Sequence, residues 1–309
     1  MTVADMPIPP EVQHTGLDDL LEAAWDKFVS VKGRGSRPTT FSAVYPRGTM
    51  AVSVTGKSCP LNCAHCGGHY LEHMVDIRDL ERELERRTPT SILLSGGCGP
   101  DGAVPLASVI GLVRKHLDPQ IRINVHPGVA NDEDAAVIAE NASVVSFDMV
   151  LDDLAIQEAF KGKWSGADYI RTFRTLSKGR AKVVPHILVG LRKGVIAGEY
   201  DVLDFLVGEG VEKVIFIVLI PTRGTEWENV SPPSPEDVAR LLAWARLKKP
   251  SLEISLGCMR PGGRYRRDLD VLAVRAGVDR IVLPHPDAVA EAESRGSVIA
   301  RKGECCAFE

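Results

Sequence analysis

The chain has 309 residues, 44% of them hydrophobic, with 37 basic and 41 acidic side chains and a formal net charge of −4. That is enough apolar material for a large core, and no basic block marks a nucleic-acid partner. No run of about 18 apolar residues offers a membrane span, and the polar, proline-containing stretch from Met1 to Gly16 lacks the pattern of an export signal.

Leu17, Leu21, Ala24, Trp25 and Phe28 recur at three- and four-residue steps, which predicts a helix over residues 17–32. Thr40 to Val54 follows and ends in a first strand over 50–54. After a cysteine-rich loop the chain alternates. A charged helix spans 78–87, and an apolar second strand, 91–95, stops at Gly96-Gly97. Val104, Leu106, Val109, Ile110 and Val113 form a helical face. The third strand is 121–125, and a helix spans 132–140. The fourth strand is 143–147, with helices near 152–160 and 168–178. A fifth strand, 182–189, precedes a helix over 199–207. The sixth, 213–219, precedes a helix over 235–247. The seventh, 252–256, precedes a helix over 268–276. The eighth, 280–283, precedes a short helix over 288–293.

Parallel strands need such crossovers. Eight of them predict an α/β fold, a closed (β/α)8 TIM-type barrel with its active site at the C-terminal ends of the strands. The expected organisation is an N-terminal helical extension over 1–44, a barrel over 45–293 and a polar, cysteine-bearing tail over 294–309 that runs freely.

Three of the seven cysteines, Cys59, Cys63 and Cys66, fall within eight residues as Cys-x3-Cys-x2-Cys. Seven cysteines without an export signal point to a reducing cytoplasm and to metal ligation. Pro60, Gly67 and Gly68 let the loop bend so that all three thiolates turn inward. A four-iron cluster on three thiolates keeps one iron open for a small molecule. The competing reading is a zinc knuckle that adds His65, His69 or His73. Structural zinc sites usually pair two short ligand hooks, and here there is one.

This spacing just after a first strand resembles the radical S-adenosylmethionine (SAM) superfamily. The resemblance implies a 4Fe–4S cluster whose open iron is chelated by SAM. It also implies reductive cleavage to a 5′-deoxyadenosyl radical, which removes hydrogen from a substrate C–H bond. His65 stands where the family usually has an aromatic residue near adenine. Gly96 and Gly97 resemble the segment whose backbone receives the SAM amino group. Pro221, Gly224 and Thr225 resemble the late-strand Pro-x2-Gly-Thr segment beside adenine. Arg192, after the fifth strand, is a candidate for the SAM carboxylate, with a surface arginine as the alternative. Asp148 is a candidate for a ribose hydroxyl or substrate amine, or else a helix cap. His126 is a site residue or a turn residue.

Tyr70-Leu71-Glu72-His73-Met74, Val104-Pro105-Leu106 and Gly257-Cys258-Met259-Arg260-Pro261 resemble the biotin synthase-related branch, some of which form one half of a two-component lipoyl synthase. That branch implies sulfur insertion into a protein-bound octanoyl chain, with a second iron–sulfur cluster consumed as the sulfur source. It also implies an electron donor such as ferredoxin or flavodoxin and a second radical SAM subunit. Cys98, Cys258, Cys305 and Cys306 are the candidate ligands of that auxiliary cluster, brought together at the barrel mouth by the tail, with Arg260 as a substitute ligand. The alternatives are a biotin synthase-like or methylornithine synthase-like reaction on a small molecule without sulfur insertion, and a metal-stabilised interaction module. For Cys98 and Cys258 themselves the alternative is plain apolar burial.

Overall fold

The computed structural model describes residues 8–33 and 38–308. Its elements begin and end where apolar periodicity changes, and they gather into two units. The first takes the chain up to Tyr45, with Ile187–Ile220 and Val230–Lys302; the second takes Pro46–His186, Pro221–Asn229 and the residues from Gly303 onward.

The first unit opens with α1 (Pro10–His14), α2 (Leu17–Lys32) and β1 (Thr40–Val44). α2 buries Leu20, Leu21, Ala24, Trp25 and Phe28 on one face, with Asp18 and Asp19 in its first turn and Lys32 in its last, as the helix dipole favours. That face packs on helices later in the same unit, so α2 is part of its core.

The second unit holds β2 (Thr49–Ser53), β3 (Val75–Asp76), α3 (Leu80–Arg86), β4 (Ser91–Ser95), α4 (Ile110–His116), β5 (Arg122–Val125), α5 (Asp132–Asn141), β6 (Val144–Met149), α6 (Asp153–Phe160) and α7 (Gly166–Leu176). Its strands follow the order β6-β5-β4-β2-β3. β2 and β4 pair in parallel from Thr49↔Ser91 to Ser53↔Ser95, and β4 meets β5 from Ser91↔Arg122 to Leu94↔Val125. Ile92, Leu94, Ile123 and Val125 are fully buried, as expected of parallel strands covered by helices. Asn131 and Asp152 cap α5 and α6 with their side chains, which fixes where the loops after β5 and β6 end.

The chain re-enters the first unit along β7 (Lys182–Val189), whose last residues begin that unit's second segment. Then come α8 (Glu199–Gly208), β8 (Lys213–Val218), α9 (Pro235–Lys248), β9 (Glu253–Leu256), α10 (Gly263–Arg275), β10 (Arg280–Val282), α11 (Pro286–Ser294) and β11 (Val298–Lys302). The strand order here is β11-β1-β10-β9-β8.

All eight expected strands are present, as β2 and β4 to β10, but the closed eight-strand ring is not the arrangement found. Among the described residues eleven strands occur, and β3 and β11 stand at the ends of the strand order with a neighbour on one side only. β1, expected within a peripheral extension, pairs with β10 and β11 along its length. The polar stretch expected to run freely contains β11, in register with β1 from Thr40↔Val298 to Val44↔Lys302. The apolar face at Val104–Val109 is not helical. Val104 donates its N–H to Pro127 O (2.8 Å), and the helix starts only at Ile110. No helix among the described residues is long and apolar enough to cross a membrane.

Candidate active site

β2 ends at Ser53, and the ladder continues one residue further through Val54 N–H to Ser95 O (2.8 Å). The chain then folds into the cysteine loop. Asn62, Gly67 and Gly68 take left-handed backbone at φ 45°, 53° and 77°, which glycine adopts at little cost. Cys66 and Gly67 both donate N–H to Cys63 O (3.2 and 2.9 Å), and His69 donates to Cys66 O (2.9 Å). The three cysteines therefore sit on consecutive tight turns, Cys63 buried and Cys59 and Cys66 half-buried, with no disulfide among them.

Electrostatics separates the thiols. A hydrogen bond between Cys63 and Cys66 lets the pair hold one proton. That bond, helped by His65, brings Cys66 down to about 4 against the opposing effect of burial. The same bond and burial push Cys63 up. Thiolate, the form that ligates metal, is thus favoured at one member of the pair.

The Gly96-Gly97 segment lies directly against this loop. A Cβ on Gly97 would stand 2.0 Å from Ser58 O and 2.5 Å from Cys59 Cα. Gly97 N–H donates to Thr55 Oγ1 (2.7 Å), whose hydroxyl donates to Ser58 O (2.8 Å). Leu61 N–H reaches Cys98 O (3.2 Å). Cys98 is half-buried, and burial pushes its thiol up to about 12, with the charge of Cys59 acting in the same direction.

A second clamp comes from the Pro221–Asn229 segment. Thr225 Cγ2 stands 3.2 Å from where a Gly67 Cβ would be, and Trp227 N–H donates to Ala64 O (3.1 Å). From the other side Ala64 N–H donates to Ala159 O of α6 (2.8 Å). The His65 ring sits edge-on to Phe160 at 5.6 Å and tilted against Trp227 at 6.1 Å. Its Nδ1 is shielded from solvent and has no hydrogen-bond partner.

Asp148, near the end of β6, completes the group. The helix-capping alternative fails, because Asp152 caps α6. Asp148 Oδ1 is shielded from solvent and without a partner. Burial raises its carboxyl, opposed by His126 and His65, while burial lowers His126. His126 faces His186 edge-on at 5.1 Å, so its side chain belongs to the strand-end group rather than to its own turn. Sequence reasoning assigned no role to Trp227, Phe160 or His186. An indole two residues after the Gly-Thr pair is the one local signal that was available.

The second unit thus brings together Cys59, Cys63, Cys66, His65, Gly96, Gly97, Cys98, Asp148, Gly224 and Thr225. Pro221 begins the same clamp segment. Arg192 and Cys258 are carried by the first unit, Arg192 half-buried in a tight turn bridged to Val195 and Cys258 exposed. Arg260 is not available as a ligand. It is 1% exposed; Nε and Nη2 bind the Asp270 carboxylate (2.6 and 2.8 Å), and Nη1 binds Gly257 O (2.6 Å).

Cys305 and Cys306, expected over the mouth beside Cys98, lie instead at the strand starts. Cys305 N–H donates to Thr49 Oγ1 (2.9 Å), and Asn124 Nδ2 donates to Cys305 Sγ (3.6 Å). The physical reason is the anchor around them. Arg122, the first residue of β5, pairs with Glu304 and covers the Phe308 ring at 4.5 Å. Cys306, Ala307 and Phe308 are all buried.

Among the described residues no three His, Cys, Asp or Glu side chains converge on a point that would hold a single metal ion. A cubane does not ask for that, since each thiolate takes a different iron. Three cysteines on one tight loop, with a favoured thiolate and a backbone segment that excludes any side chain at Gly97, fit a cluster better than the convergent ligand set of a zinc knuckle.

No family model matches the chain, and no curated protein sequence matches it. Solved structures do. Methylornithine synthase (PylB) is similar with a TM-score of 0.57 at 15% identity, over 92% of this chain and 81% of that one. The FeFe-hydrogenase maturase HydG from Carboxydothermus hydrogenoformans gives 0.63 at 15%, over 88% and 65%. Streptococcus suis SuiB bound to S-adenosylmethionine gives 0.52 at 11%, over 77% and 58%. The chain spans less than two thirds of the length of the last two. At such identities the likeness is one of fold.

Proposed function

We propose that this protein is a radical SAM enzyme, with Cys59, Cys63 and Cys66 as the ligands of a 4Fe–4S cluster. The observation that carries the reading is the packing of Gly97 against Cys59. A backbone segment after β4 approaches the cysteine loop so closely that a single methyl group would collide with main chain. Such an approach brings the Gly96-Gly97 backbone beside the cysteine loop, where a ligand of the cluster would meet it. When bound, the cluster supplies an electron and an open iron, and the cleavage of SAM is its chemistry.

The chain's own residues do the rest. The Cys63–Cys66 pair presents thiolate. His65, Phe160 and Trp227 keep water from the loop, which protects a reactive carbon radical from side reactions. Asp148 Oδ1, beside His126, holds unspent hydrogen-bonding capacity at the strand ends, suited to a hydroxyl or amine of SAM or substrate. Gly96, Gly97 and the Pro221–Thr225 segment shape the backbone around it. An electron donor such as ferredoxin or flavodoxin belongs to this reading.

The finer reading is sulfur insertion into a protein-bound octanoyl chain, with a second radical SAM subunit. What supports it is the four cysteines beyond the loop and the phrases shared with the biotin synthase-related branch. The second reading is a rearrangement or other radical reaction on a small molecule. What favours it is that Cys98 and the tail cysteines stand at opposite ends of the strands of one unit.

Anaerobically reconstituted protein, reduced with dithionite, is expected to convert SAM to 5′-deoxyadenosine, and the Cys59→Ala/Cys63→Ala/Cys66→Ala variant to lose both iron and cleavage. Undiminished cleavage in that variant sinks the proposal. Iron analysis separates the finer readings: about eight irons per chain supports a sulfur donor, and about four supports the rearrangement.

A further inference from the structure

β8, β9 and β10 begin with Lys213, Glu253 and Arg280. In register, Lys213 lies beside Glu253, and Ser255 lies beside both Ile215 and Arg280. Arg280 in turn lies beside Ser42 of β1. Side chains alternate along a strand, so these residues share one face of the first unit's strands. Further along, the same face is apolar and close-packed: a Cβ at Gly257 would stand 2.6 Å from Ile217 and 2.9 Å from Ile215.

Two cations here meet one carboxylate. Lys213 Nζ stands 3.3 Å from Glu253 Oε1, and Arg280 Nη2 pairs with the same oxygen. Lys213 is 2% exposed, Arg280 8% and Ser255 not at all. Arg280 Nε and Nη1 and the Ser255 Oγ are shielded from solvent and make no hydrogen bond. A buried charged donor without an acceptor is costly, and a native fold that retains one calls for a reason.

We propose that this cluster is a binding site for a small oxyanion, a carboxylate or a phosphate-type group. Arg280 Nε and Nη1 and the Ser255 hydroxyl donate to it, and Lys213 adds field. Guanidinium and hydroxyl donors select for oxygen-bearing anions and against cations. Glu253 is the gate on the solvent side, because its side chain is 28% exposed while its neighbours are sealed. The site uses none of the cysteine-loop residues, so it stands or falls apart from the radical reading.

Calorimetric titration of the reconstituted full-length protein tests it, at constant ionic strength set with KCl. Acetate, octanoate, inorganic phosphate and sulfate are titrated separately. Saturable one-to-one binding is expected for the carboxylate pair or for the phosphate and sulfate pair, and the pair that binds identifies the source. Arg280→Met weakens that binding about tenfold or more, and Ser255→Ala weakens it by less, with iron content unchanged. Should Arg280→Met not fold, Arg280→Lys combined with Ser255→Ala carries the same expectation. Four flat titrations, or binding that is unaltered in the variants, overturn the proposal.

Discussion

The two ends of the strands in the second unit are built in opposite ways. At the starts of β2, β4 and β5 hydrogen-bonding groups have found each other. Thr49 Oγ1 and Ser91 Oγ are 2.8 Å apart, Ser146 donates to Asn124, Asn124 donates to Cys305, and Arg122 holds both Glu304 and Phe308. At the C-terminal ends, roughly 13 Å away along five residues of strand, the chain retains what folding alone would remove. His65 Nδ1 and Asp148 Oδ1 are shielded from solvent without partners. The difference assigns stability to one end and chemistry to the other, as parallel α/β folds generally do. The starts of β8 to β10 in the first unit break that pattern, which is why their unspent donors point to a ligand.

The sharpest way to break the comparison is at Gly97. Gly97→Val places a side chain 2.0 Å from a backbone oxygen, a clash no rotamer relieves. Iron loading and SAM cleavage are both expected to fall to background. Gly96→Ala is the control, because the atoms nearest its new methyl are side-chain atoms of Thr55, Val54 and Val104 at 3.1–3.2 Å, which can give way where main chain cannot. That variant should keep most of its iron. Equal loss in both would mean that the segment tolerates no change at all, and the argument from backbone contact would fail.

Asp148 gives the next largest effect and separates stability from function. One carboxyl oxygen of the half-buried Asp148 is shielded from solvent without a partner, which costs the fold, so Asp148→Leu is expected to unfold at the same or higher urea concentration, a gain of up to about 1 kcal/mol. If the carboxylate serves a ligand, SAM-dependent turnover drops about tenfold or more in the same variant. A variant that is more stable and fully active would make Asp148 a structural blemish.

Much of this was legible along the chain. The eight expected strands are short apolar runs closed by glycine or by polar residues, and α2 carries its terminal charges and its apolar stripe in plain order. The cysteine spacing and the Gly-Gly pair are local patterns, and both fall on the site. What could not be read is what depends on distant partners. β11 has only Val298, Ile299 and Ala300 before Arg301 and Lys302, so it reads as a solvated tail until β1 is beside it. β3 is two residues long. The helix-like spacing of Val104, Leu106 and Val109 comes from residues buried in a loop, and Pro105 was the contrary signal. The docking of the tail was announced only by Cys306-Ala307-Phe308, an apolar triplet after a polar stretch. That Asp148, His126 and His65 share an environment, and that Arg192 and Cys258 belong to the other unit, follows from packing alone.

At the quiet end of the strands the comparison predicts loss of stability without loss of chemistry. Phe308 is 4% exposed beneath the Arg122 guanidinium. Phe308→Ala should lower stability by about 3 kcal/mol, seen as a lower urea midpoint of the unfolding transition. Iron content and 5′-deoxyadenosine formation should be unchanged. A fall in cleavage with an intact cluster would show that the tail does more than close the strand starts.

The smallest effect should come from Arg122. Its side chain is 40% exposed and that of Glu304 23%, so solvent weakens their attraction, and an ion pair of this kind contributes about 0.5 kcal/mol. The contact over the Phe308 ring adds a comparable amount. Arg122→Gln should therefore cost about 1 kcal/mol in all, well below the loss at Phe308. The two parts respond differently to salt. Raising KCl screens the pair with Glu304 but leaves the packing on Phe308, so the gap between the native and variant urea midpoints should shrink without closing. A gap that vanishes in high salt would mean that charge alone holds the tail. A gap as large as that of Phe308→Ala would mean that Arg122 itself is the anchor and Phe308 follows it.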